Sequence, residues 1–534
     1  LHRRRHSFPT RRSSDLFIDL ATFDEIEKYM YGGPDATAYF VRETRKSTWF
    51  TQVPVVLSRA AGNPGFNQDW SVNISRAGDY LLQTWLRLTT PVITLISASA
   101  LGTLRWTNNL MHNLIRECSI TFNDLVAARF DSYQLDFWAA FTVPAGKQAG
   151  YYAMIGNIPA LTSPIAPGGT LRAEVLNLPL PFFYSRDSGV ALPTAALPYN
   201  EMRINFSFRD WTELLIAQQP TTLTSGTTAF YAPVQLTQSN ISDINNTTPL
   251  LNVCNVWANY AIVSNDERKR MACAPRDILI EQVQTAPLQT WNPTQNAFPS
   301  YDIRFSHAIK VLFFAVRNKT CWSLWSNYTC YTPIVVNDGF QNFVLDLDQV
   351  QAGSYLSGTS DPYGNGPMIS QPFEPGFGTP IFNYPPTQSV ATPPSGFSGS
   401  PDPIQETSLI YENTARLSQM GSDYFSLVNP YYNAPVIPVA VGYHSYSYSL
   451  DFICLDPMGS TNYGKLTNVS INPTANQAAI NASSATGLGA LVSTVGNATY
   501  TGNVYNSQQY TFITTAVNNN IIRISGGALG FPVL

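Results

Sequence analysis

The stretch NEMRINFSFRDW, residues 200–211, shows the pattern that decides the fold. Apolar and polar side chains alternate along it, so that one side of an extended chain would carry Met202, Ile204, Phe206 and Phe208. A period of two residues is typical of an antiparallel β-strand with one buried face. The stretch therefore predicts a half-buried strand.

Other stretches repeat this alternation, with clusters of Gly, Pro, Asn and Asp between them. They are residues 118–122, 301–305 and HSYSYSLDF at 444–452. Many short strands separated by turn signals predict an all-β protein, either a β-sandwich or a jelly roll. Helical signals are few and short. TFDEIEKYM has Thr22 as N-cap and Glu25 three residues later, and residues 131–141 and 266–272 are the other candidates.

The chain of 534 residues is long enough for two to four domains. Strand-like sequence occupies residues 45–216 and resumes at 251–534, and a Gln-, Thr- and Ser-rich connector lies at 217–250. No clean internal repeat accompanies this division, so only the sizes of the two parts suggest a duplicated fold. Residues 17–44 are expected to form an N-terminal arm with one short helix.

Residues 349–407 interrupt the second part with a Gly-, Pro-, Ser- and Tyr-rich sequence that has no periodicity. A segment of about sixty residues is too long for an ordinary connection, and burying it would leave its backbone polar groups without partners. We therefore expect an external insertion, held partly by aromatic side chains that pack on one another. These are Tyr355, Tyr363, Phe373, Phe377, Phe382 and Tyr384. Residues 472–508 are expected to form a second exposed loop.

The first sixteen residues, LHRRRHSFPTRRSSDL, differ abruptly in composition from the sequence that follows. They hold five of the 31 Lys and Arg residues, which suits a basic arm for nucleic acid or for a membrane surface. The segment also resembles translated sequencing-adapter read-through. We interpret residues 1–16 as a non-native scar and exclude them from the fold argument.

The charge of the remaining chain weighs against a nucleic-acid binder. Without residues 1–16 the chain has 26 basic and 34 acidic residues, a net charge of −8, whereas nucleic acid requires a basic surface. No apolar run reaches the ~18 residues of a membrane span, because Pro91 interrupts the nearest one, at 88–104. Charged residues make up 12% of the chain, about half the usual share. This low share favours a surface that partner subunits largely cover.

Residue types that form catalytic or metal sites are scarce. Outside the scar the histidines are His112, His307 and His444, and their separation fits no metal-ligand spacing. The sequence contains no phosphate-binding loop, nucleophile elbow or Cys-x-x-Cys pattern. We therefore predict no catalytic residue, no cofactor and no metal ion. The six scattered cysteines predict free thiols in a reducing compartment, although Cys321 and Cys330 could pair across a loop.

One charged pair, Arg186 and Asp187 in LPLPFFYSRDSGVALP (178–193), lies between two proline-containing apolar runs. The pair could form a site, or a salt bridge within a turn in which Asp187 accepts backbone N–H bonds and Gly189 permits the bend. A carboxylate pair for glycoside hydrolysis is also open, because its members need not be adjacent in sequence.

The same stretch, continued as LPLPFFYSRDSGVALPTAALPYNEMRI, closely resembles a segment of the major capsid proteins of large icosahedral DNA viruses, especially iridoviruses. Nine further segments match in the same order along the chain. They are FIDLATFDEIEKYMYGGPDATAYFV (17–41), RWTNNLMHNLIRECSITFNDL (105–125), GYYAMIGN (150–157), DERKRMACAPRDILIEQVQTAP (266–287), DIRFSHAIKVLFFAVRN (302–318), SNYTC (326–330), YENTARL (411–417), GSTNYGKLTN (459–468) and NNIIRISGGALGFPVL (519–534). Ordered matches over residues 17–534 are far more specific than any single motif.

The resemblance implies a double jelly roll, that is, two tandem eight-stranded antiparallel jelly rolls with short inserted helices and long external loops. It implies that three chains form a pseudo-hexagonal homotrimeric capsomer, and that capsomers tile the icosahedral virion shell over an internal membrane. The implied partners are neighbouring capsomers, minor capsid proteins, penton proteins and the viral membrane, without direct nucleic-acid binding. Assembly in the host cytoplasm is implied as well. The insertion at 349–407 is longer than in the iridovirus proteins.

The alternative is a secreted β-sandwich protein that binds or acts on carbohydrate. An enzyme of that kind needs a carboxylate pair in a cleft, and a lectin needs an aromatic platform or a calcium site. Neither alternative explains the ordered matches. The sequence therefore predicts a structural capsid protein that is not an enzyme, in which the turn at 185–189 has a positional role.

Overall fold

Strands dominate the part of the chain that the structure, a computed structural model, describes. That part comprises residues 21–42, 44–97, 101–222, 229–243, 249–273, 275–294, 298–330, 334–337, 343–345, 402–438, 440–484, 492–495, 498–501 and 508–532. Residues 1–16 and 349–401 lie outside these ranges, so the scar and the six packed aromatic residues of the insertion remain predictions. The chain divides into two compact units, Leu1–Trp49 and Phe50–Leu534.

The strands fall into two series. The first series is β1 Phe50–Val56, β2 Ser58–Ala61, β3 Asp69–Asn73, β4 Tyr80–Thr89, β5 Ile93–Leu95, β6 Thr103–Trp106, β7 Ile115–Phe122, β8 Leu125–Asp131, β9 Thr170–Leu171, β10 Val175–Pro179, β11 Met202–Phe208, β12 Leu215–Thr222, β13 Ala229–Val234, β14 Ile241–Asp243 and β15 Asn252–Val263. The second series is β16 Arg276–Thr285, β17 Gln289–Trp291, β18 Tyr301–Asp302, β19 Ala308–Asn318, β20 Ile334–Asn337, β21 Phe343–Leu345, β22 Ile404–Tyr411, β23 Thr414–Gly421, β24 His444–Ser447, β25 Thr461–Asn462, β26 Val469–Ala475, β27 Val492–Val495, β28 Ala498–Thr501, β29 Tyr510–Ser525 and β30 Ala528–Gly530.

The helices are short and lie between strands. They are α1 Glu25–Tyr31, α2 Leu110–Leu114, α3 Ser132–Thr142, α4 Ala145–Met154, α5 Pro159–Thr162, α6 Trp211–Leu214, α7 Asn265–Cys273, α8 Asn429–Asn433 and α9 Gln477–Ser483. A π-helical turn, Tyr424–Val428, runs directly into α8, and 3-10 turns occur at Phe183–Ser185, Ser188–Val190, Thr194–Ala196, Gln238–Asn240 and Tyr463–Lys465. The predicted helices at 131–141 and 266–272 are confirmed by α3 and α7.

The first compact unit contains α1, which begins two residues later than predicted. Asp24, not Thr22, is the N-cap, and its carboxylate accepts hydrogen bonds from the backbone N–H groups of Ile26 and Glu27. Glu27 in turn accepts from the Asp24 N–H at 2.9 Å. The sequence offers two overlapping capping boxes, Thr22 with Glu25 and Asp24 with Glu27. The helix begins at the second, because the negative charge of the Asp24 carboxylate is stabilised at a helix N-terminus.

Two antiparallel sheets form a first sandwich within the second unit. Sheet 1A has the strand order β1-β15-β4-β10, and sheet 1B has the order β2-β3-β11-β7-β8. The alternation that opened the sequence argument is confirmed in β11, where Met202, Ile204, Phe206 and Phe208 are buried and the residues between them are half-buried. A large cluster of buried residues, including Val72, Leu86, Ile120 and Val256, fills the space between the sheets.

A second sandwich repeats this arrangement. Sheet 2A has the order β16-β29-β19-β24, and sheet 2B has the order β18-β26-β22-β23. In both sandwiches the first strand lies at the edge of its sheet, beside the last strand. Each sandwich therefore has the same eight strands in the same order, with β2 added to the first and β17, β25 and β30 added to the second. The strand pairs of the described residues are antiparallel, and the predicted double jelly roll is confirmed.

Strand β29 joins the two cores. Its N-terminal part contributes Tyr510 and Phe512 to the core of the second sandwich, whereas Ile522 and Ile524 near its C-terminal end belong to the core of the first. The residues predicted as a connector, 217–250, include most of β12 as well as β13 and β14, and β15 extends sheet 1A as far as Val263.

Three sequence expectations were wrong in detail. The alternation at 444–452 leaves the sheet after Ser447, because the Ser447 and Ser449 side chains bond the local backbone, and Leu450 is 76% exposed. The loop expected at 472–508 begins with strand β26 and helix α9, in which Ala479 and Ala482 are fully buried. Small alanine side chains resemble loop composition, yet they fit a tightly packed core. Strand β22 begins at Ile404, inside the range given to the insertion.

Candidate assembly surfaces and the junction between the sandwiches

The charged turn at 185–189 fixes the first sandwich to the second. Arg186 follows a 3-10 turn and points inward, where its Nη1 lies 2.8 Å from Glu281 Oε2 on β16. Its Nη2 donates to the Ile453 carbonyl at 3.1 Å, and its guanidinium lies 4.2 Å from the Trp138 ring centroid. The interpretation of an Arg186–Asp187 turn salt bridge was wrong, because Arg186 pairs with Glu281, while Asp187 is exposed.

Glu281 is shared between two cations. Its Oε1 lies 2.5 Å from Lys310 Nζ on β19, and the side chains of Lys310 and Glu281 are only 1% and 5% exposed. Lys310 also donates to the Cys454 carbonyl. Burial lowers the pKa of Arg186, an effect that Glu281 opposes. The buried Glu281 carboxylate, placed between two cations, therefore fixes the positions of β16, β19 and the turn after β10 relative to one another.

A second polar cluster is centred on Asp136 of α3. Its Oδ1 lies 2.7 Å from His112 Nδ1, and its Oδ2 accepts from Ser326 Oγ at 2.6 Å and Tyr328 OH at 2.9 Å. On its other side, His112 Nε2 lies 2.6 Å from Tyr151 OH. Ser326 and Tyr328 follow β19 of the second sandwich, so this cluster also bridges the two sandwiches.

Trp325 forms a third bridge. Its ring lies between two guanidinium groups, with Arg209 at 3.8 Å and Arg317 at 3.6 Å from the ring centroid. Its indole N–H donates to the Glu213 carbonyl at 2.8 Å. Burial, the largest cause, lowers the pKa of Arg209 to about 10. Sequence reasoning missed this stack, since its members are single residues far apart in the chain.

The apolar part of the junction is α3 lying on the outer face of sheet 2A. Phe137 and Phe141 stack on Phe313 of β19, with centroid distances of 5.8 and 5.2 Å. Val311 and Ile513 of the same sheet belong to this buried cluster. The two sandwiches are therefore joined by an ordinary close-packed core as well as by buried polar groups.

The corresponding outer face of sheet 1A is less covered. Val56, Trp257, Trp85 and Pro179 are successive register partners across its four strands. Val56 and Pro179 are exposed, while Trp85 and Trp257 are half-buried and stack with their centroids 6.3 Å apart. The edge strand β1 is exposed on both faces along most of its length. An apolar row of this kind on a protein surface indicates a contact with another molecule.

A second exposed apolar surface lies on α8. Tyr431 and Tyr432 are 69% and 74% exposed, and Val428 just before them is 41% exposed. Phe425 and Pro430 are buried and anchor the segment to the second sandwich. Such exposed tyrosines on a fixed support are typical of protein interfaces.

The structure places the remaining residues singled out from the sequence in separate surroundings. His444 is buried with its Nε2 2.7 Å from Asp402 Oδ2, and His307 uses its backbone carbonyl to accept from the Tyr463 N–H. Cys321 and Cys330 are free and buried. Among the described residues no group of three or more His, Cys, Asp or Glu side chains could hold a metal ion. Within that same part of the chain, no helix combines the length and hydrophobicity that crossing a membrane requires.

Comparison with known proteins agrees with this architecture. A family model described as "Major capsid protein N-terminus" matches residues 38–263, and one described as "Large eukaryotic DNA virus major capsid protein" matches residues 267–530. The boundary between the two matches falls just after β15, where the first sandwich ends.

Full-length relatives and solved structures match as well. The major capsid protein of Costelytra zealandica iridescent virus is 57% identical over 524 residues, 97% of this chain and 98% of the relative. That of Lymphocystis disease virus 1 is 44% identical over 525 residues, 98% of each chain. The fold is similar to that in the quasi-atomic model of the PBCV-1 virus capsid, with a TM-score of 0.62 at 18% identity, covering 93% of this chain and all of the other. It is also similar to the Faustovirus major capsid protein, with a TM-score of 0.62 at 11% identity, covering 96% and 98%. The chain therefore belongs to the family of major capsid proteins of iridoviruses and other large eukaryotic DNA viruses, which are structural proteins and not enzymes.

Proposed function

We propose that three copies of this chain form a pseudo-hexagonal homotrimeric capsomer, and that these capsomers tile the icosahedral virion shell. The observation that carries the proposal is the duplication of one eight-stranded sandwich within a chain whose two sandwiches share a packed junction. Three such chains around a threefold axis present six nearly equivalent flanks, which is the shape needed to tile a surface with sixfold neighbours. Closed homo-oligomeric rings are also a common solution for soluble assemblies.

The proposed partners are neighbouring capsomers, minor capsid proteins and penton proteins, with the inner side of the shell over an internal membrane and assembly in the host cytoplasm. The low charge of the chain supports extensive contact with other subunits. The arm supports it too, since within the first unit Tyr29, Tyr39 and Phe40 are 89%, 92% and 103% exposed. Aromatic side chains that find no core within their own unit favour a partner that covers them.

The proposed domain division assigns residues 17–44 to the arm and places the two jelly rolls after it. The sequence suggested 45–216, a connector at 217–250 and a second roll from 251. Because β15 pairs with β1 in sheet 1A as far as Val263, we propose a boundary between the rolls in the α7 region instead. The connector then becomes the excursion between the last two strands of the first roll.

The experiment is to express residues 17–534 and measure the mass in solution by light scattering, followed by electron microscopy. Trimers with a hexagonal outline, and shells or arrays at high concentration, are expected. A stable monomer that binds glycans on an array would overturn the proposal and favour the carbohydrate-binding alternative. Flotation with vesicles tests membrane contact separately from assembly. Trimers that do not float with the vesicles would contradict the proposed membrane contact and leave the proposed trimer standing.

A further inference from the structure

The contact between the sandwiches within one chain suggests how two chains meet. In the first sandwich, the segment between β8 and β10 includes α3, whose Phe137 and Phe141 stack on Phe313 in the outer face of sheet 2A. A helix that follows β8, the fifth of the eight shared strands of one sandwich, thus covers the outer face of sheet 2A of the other. All three phenylalanine rings are fully buried by this contact.

Because the sandwich is duplicated, helix α3 has a counterpart in the second sandwich and the outer face of sheet 2A has a counterpart in the first. The strands equivalent to β8 and β10 in the second sandwich are β23 and β24, and the segment between them contains the π-helical turn and α8. The sheet equivalent to 2A is 1A. The counterparts of the buried helix and the buried sheet face are therefore the two exposed apolar surfaces, α8 with Tyr431 and Tyr432, and the row across sheet 1A with Val56 and Trp257.

We infer that α8 of one chain packs on the outer face of sheet 1A of the next chain around the trimer, repeating between chains the contact that α3 makes within a chain. This inference rests on the proposed homotrimer and names its interface. The contact joins two different surfaces, so it is heterologous and closes into a ring when the rotation allows. Each chain would supply one helix and one sheet face, and three chains would leave neither unpaired.

The chemistry of the two surfaces is complementary. Both are aromatic at the centre, with the stacked Trp85 and Trp257 on the sheet and the edge-to-face pair Tyr431 and Tyr432 on the helix, whose centroids are 5.1 Å apart. Interface hot spots are enriched in these two residue types. The sheet face also carries Arg87, and the helical segment begins at Asp423. Both side chains are exposed and carry opposite charges, which favours the pairing of the two surfaces.

The first test compares the trimer dissociation constants of Tyr431→Ser/Tyr432→Ser and Val56→Arg with that of the unaltered protein, by analytical ultracentrifugation. Each variant is expected to raise the constant about 30-fold or more, the usual effect of removing an aromatic hot spot. Phe298→Ser is the matched control, because Phe298 is an equally exposed aromatic residue, at 73%, outside both surfaces. Circular dichroism and melting temperature check that each variant folds.

The second test mixes the two defective variants. The Val56→Arg chain keeps an intact α8, and the Tyr431→Ser/Tyr432→Ser chain keeps an intact sheet face, so an equimolar mixture should form 1:1 heterodimers that cannot close into trimers. Native mass spectrometry detects them. The inference is overturned if the variants trimerise like the unaltered protein, if the mixture gives no heterodimer, or if Phe298→Ser has the same effect. An unaltered protein that stays monomeric would instead overturn the proposed trimer itself.

Discussion

Glu281 is the central residue of the ion-pair network that joins the turn after β10 to the second sandwich. It faces Arg186 and Lys310 inside the protein, so Glu281→Gln would leave two buried cations without a counter-charge. Breaking a buried ion pair in this way typically destabilises a protein by about 3–5 kcal/mol. We expect a loss of this size in the free energy of unfolding, measured by urea denaturation with tryptophan fluorescence.

Two further variants interpret the result. Glu201→Gln removes a carboxylate whose Arg203 partner is exposed, and it should change stability by only about 0–1 kcal/mol. Replacing all three junction residues together, as Arg186→Met/Glu281→Leu/Lys310→Met, should recover much of the loss, because apolar groups of similar volume need no counter-charge. If Glu281→Gln were as stable as the unaltered protein, the ion-pair network would not contribute to the free energy of unfolding.

A cluster of tyrosines makes the protein sensitive to high pH. The hydroxyl groups of Tyr411, Tyr448 and Tyr463 bond one another, with 2.6 Å between Tyr448 and Tyr463. Burial, together with the neighbouring hydroxyls, raises the pKa of Tyr448 and of Tyr463 well above the usual value. The unfolded chain releases these protons near pH 10, whereas the folded chain retains them.

Their stabilising contribution is therefore complete below about pH 10 and is lost as the pH rises toward the folded pKa. The free energy of unfolding should fall by up to about 1.4 kcal/mol per pH unit for each of these tyrosines. Denaturation at a series of pH values between 9 and 12 measures the slope. Tyr448→Phe should make the slope shallower, and an unchanged slope would contradict the assignment.

At the scale of elements, α3 couples the stability of the two sandwiches. Phe137 is fully buried against Phe313, Tyr328 and Tyr443, so Phe137→Ala leaves a cavity at the junction and should cost about 3–5 kcal/mol. Calorimetry should show two unfolding transitions in addition to the lower stability. The reason is that weaker coupling allows the two sandwiches to unfold at different temperatures. Phe298→Ala, on the exposed surface, should keep the melting profile of the unaltered protein.

Local sequence patterns predict helices and strands well where one face of the element is buried. They fail where contacts with the rest of the protein determine the local structure. The period of β11 and the helical segments α3 and α7 follow from the sequence alone, since side-chain alternation and capping are local. Strand β24 ends early because of serine side chains that bond the local backbone, which the Tyr/Ser alternation conceals. Helix α9 forms in a sequence of loop composition because Ala479 and Ala482 fit the core of the second sandwich.

At the scale of the whole molecule, the resemblance to known capsid proteins predicts the double jelly roll, whereas the junction could not be read from the sequence. Arg186 was recognised as unusual, but its neighbour Asp187 suggested a local partner. Its actual partner, Glu281, is 95 residues away and comes close only because β16 of the second sandwich lies against the turn after β10. Pairings of this kind depend on the packing of complete sandwiches, and one sequence contains no local signal for them.

The insertion at 349–401, which we predict to be external, offers a test of whether the shell depends on it. The described chain before it ends at Leu345 of β21, which pairs with β20 and through β20 with β13. After it, Asp402 lies beside His444 and Ser422 in the second sandwich. Because the chain on each side of the insertion is held by its own strand pairs, we expect a linker that spans the gap to leave the flanking strands in place.

We expect the protein with a Gly/Ser linker in place of residues 349–400 to keep its melting temperature and to trimerise as before. Asp402→Ala is the contrasting variant, because it should lower stability by about 1–3 kcal/mol through loss of hydrogen bonds at a buried position. On assembled particles, protease should cut the insertion first, as expected for an external loop. Failure of the linker variant to trimerise, or an insertion that resists protease on particles while the N-terminal arm is cut, would show that the insertion is part of the shell and does not project from it.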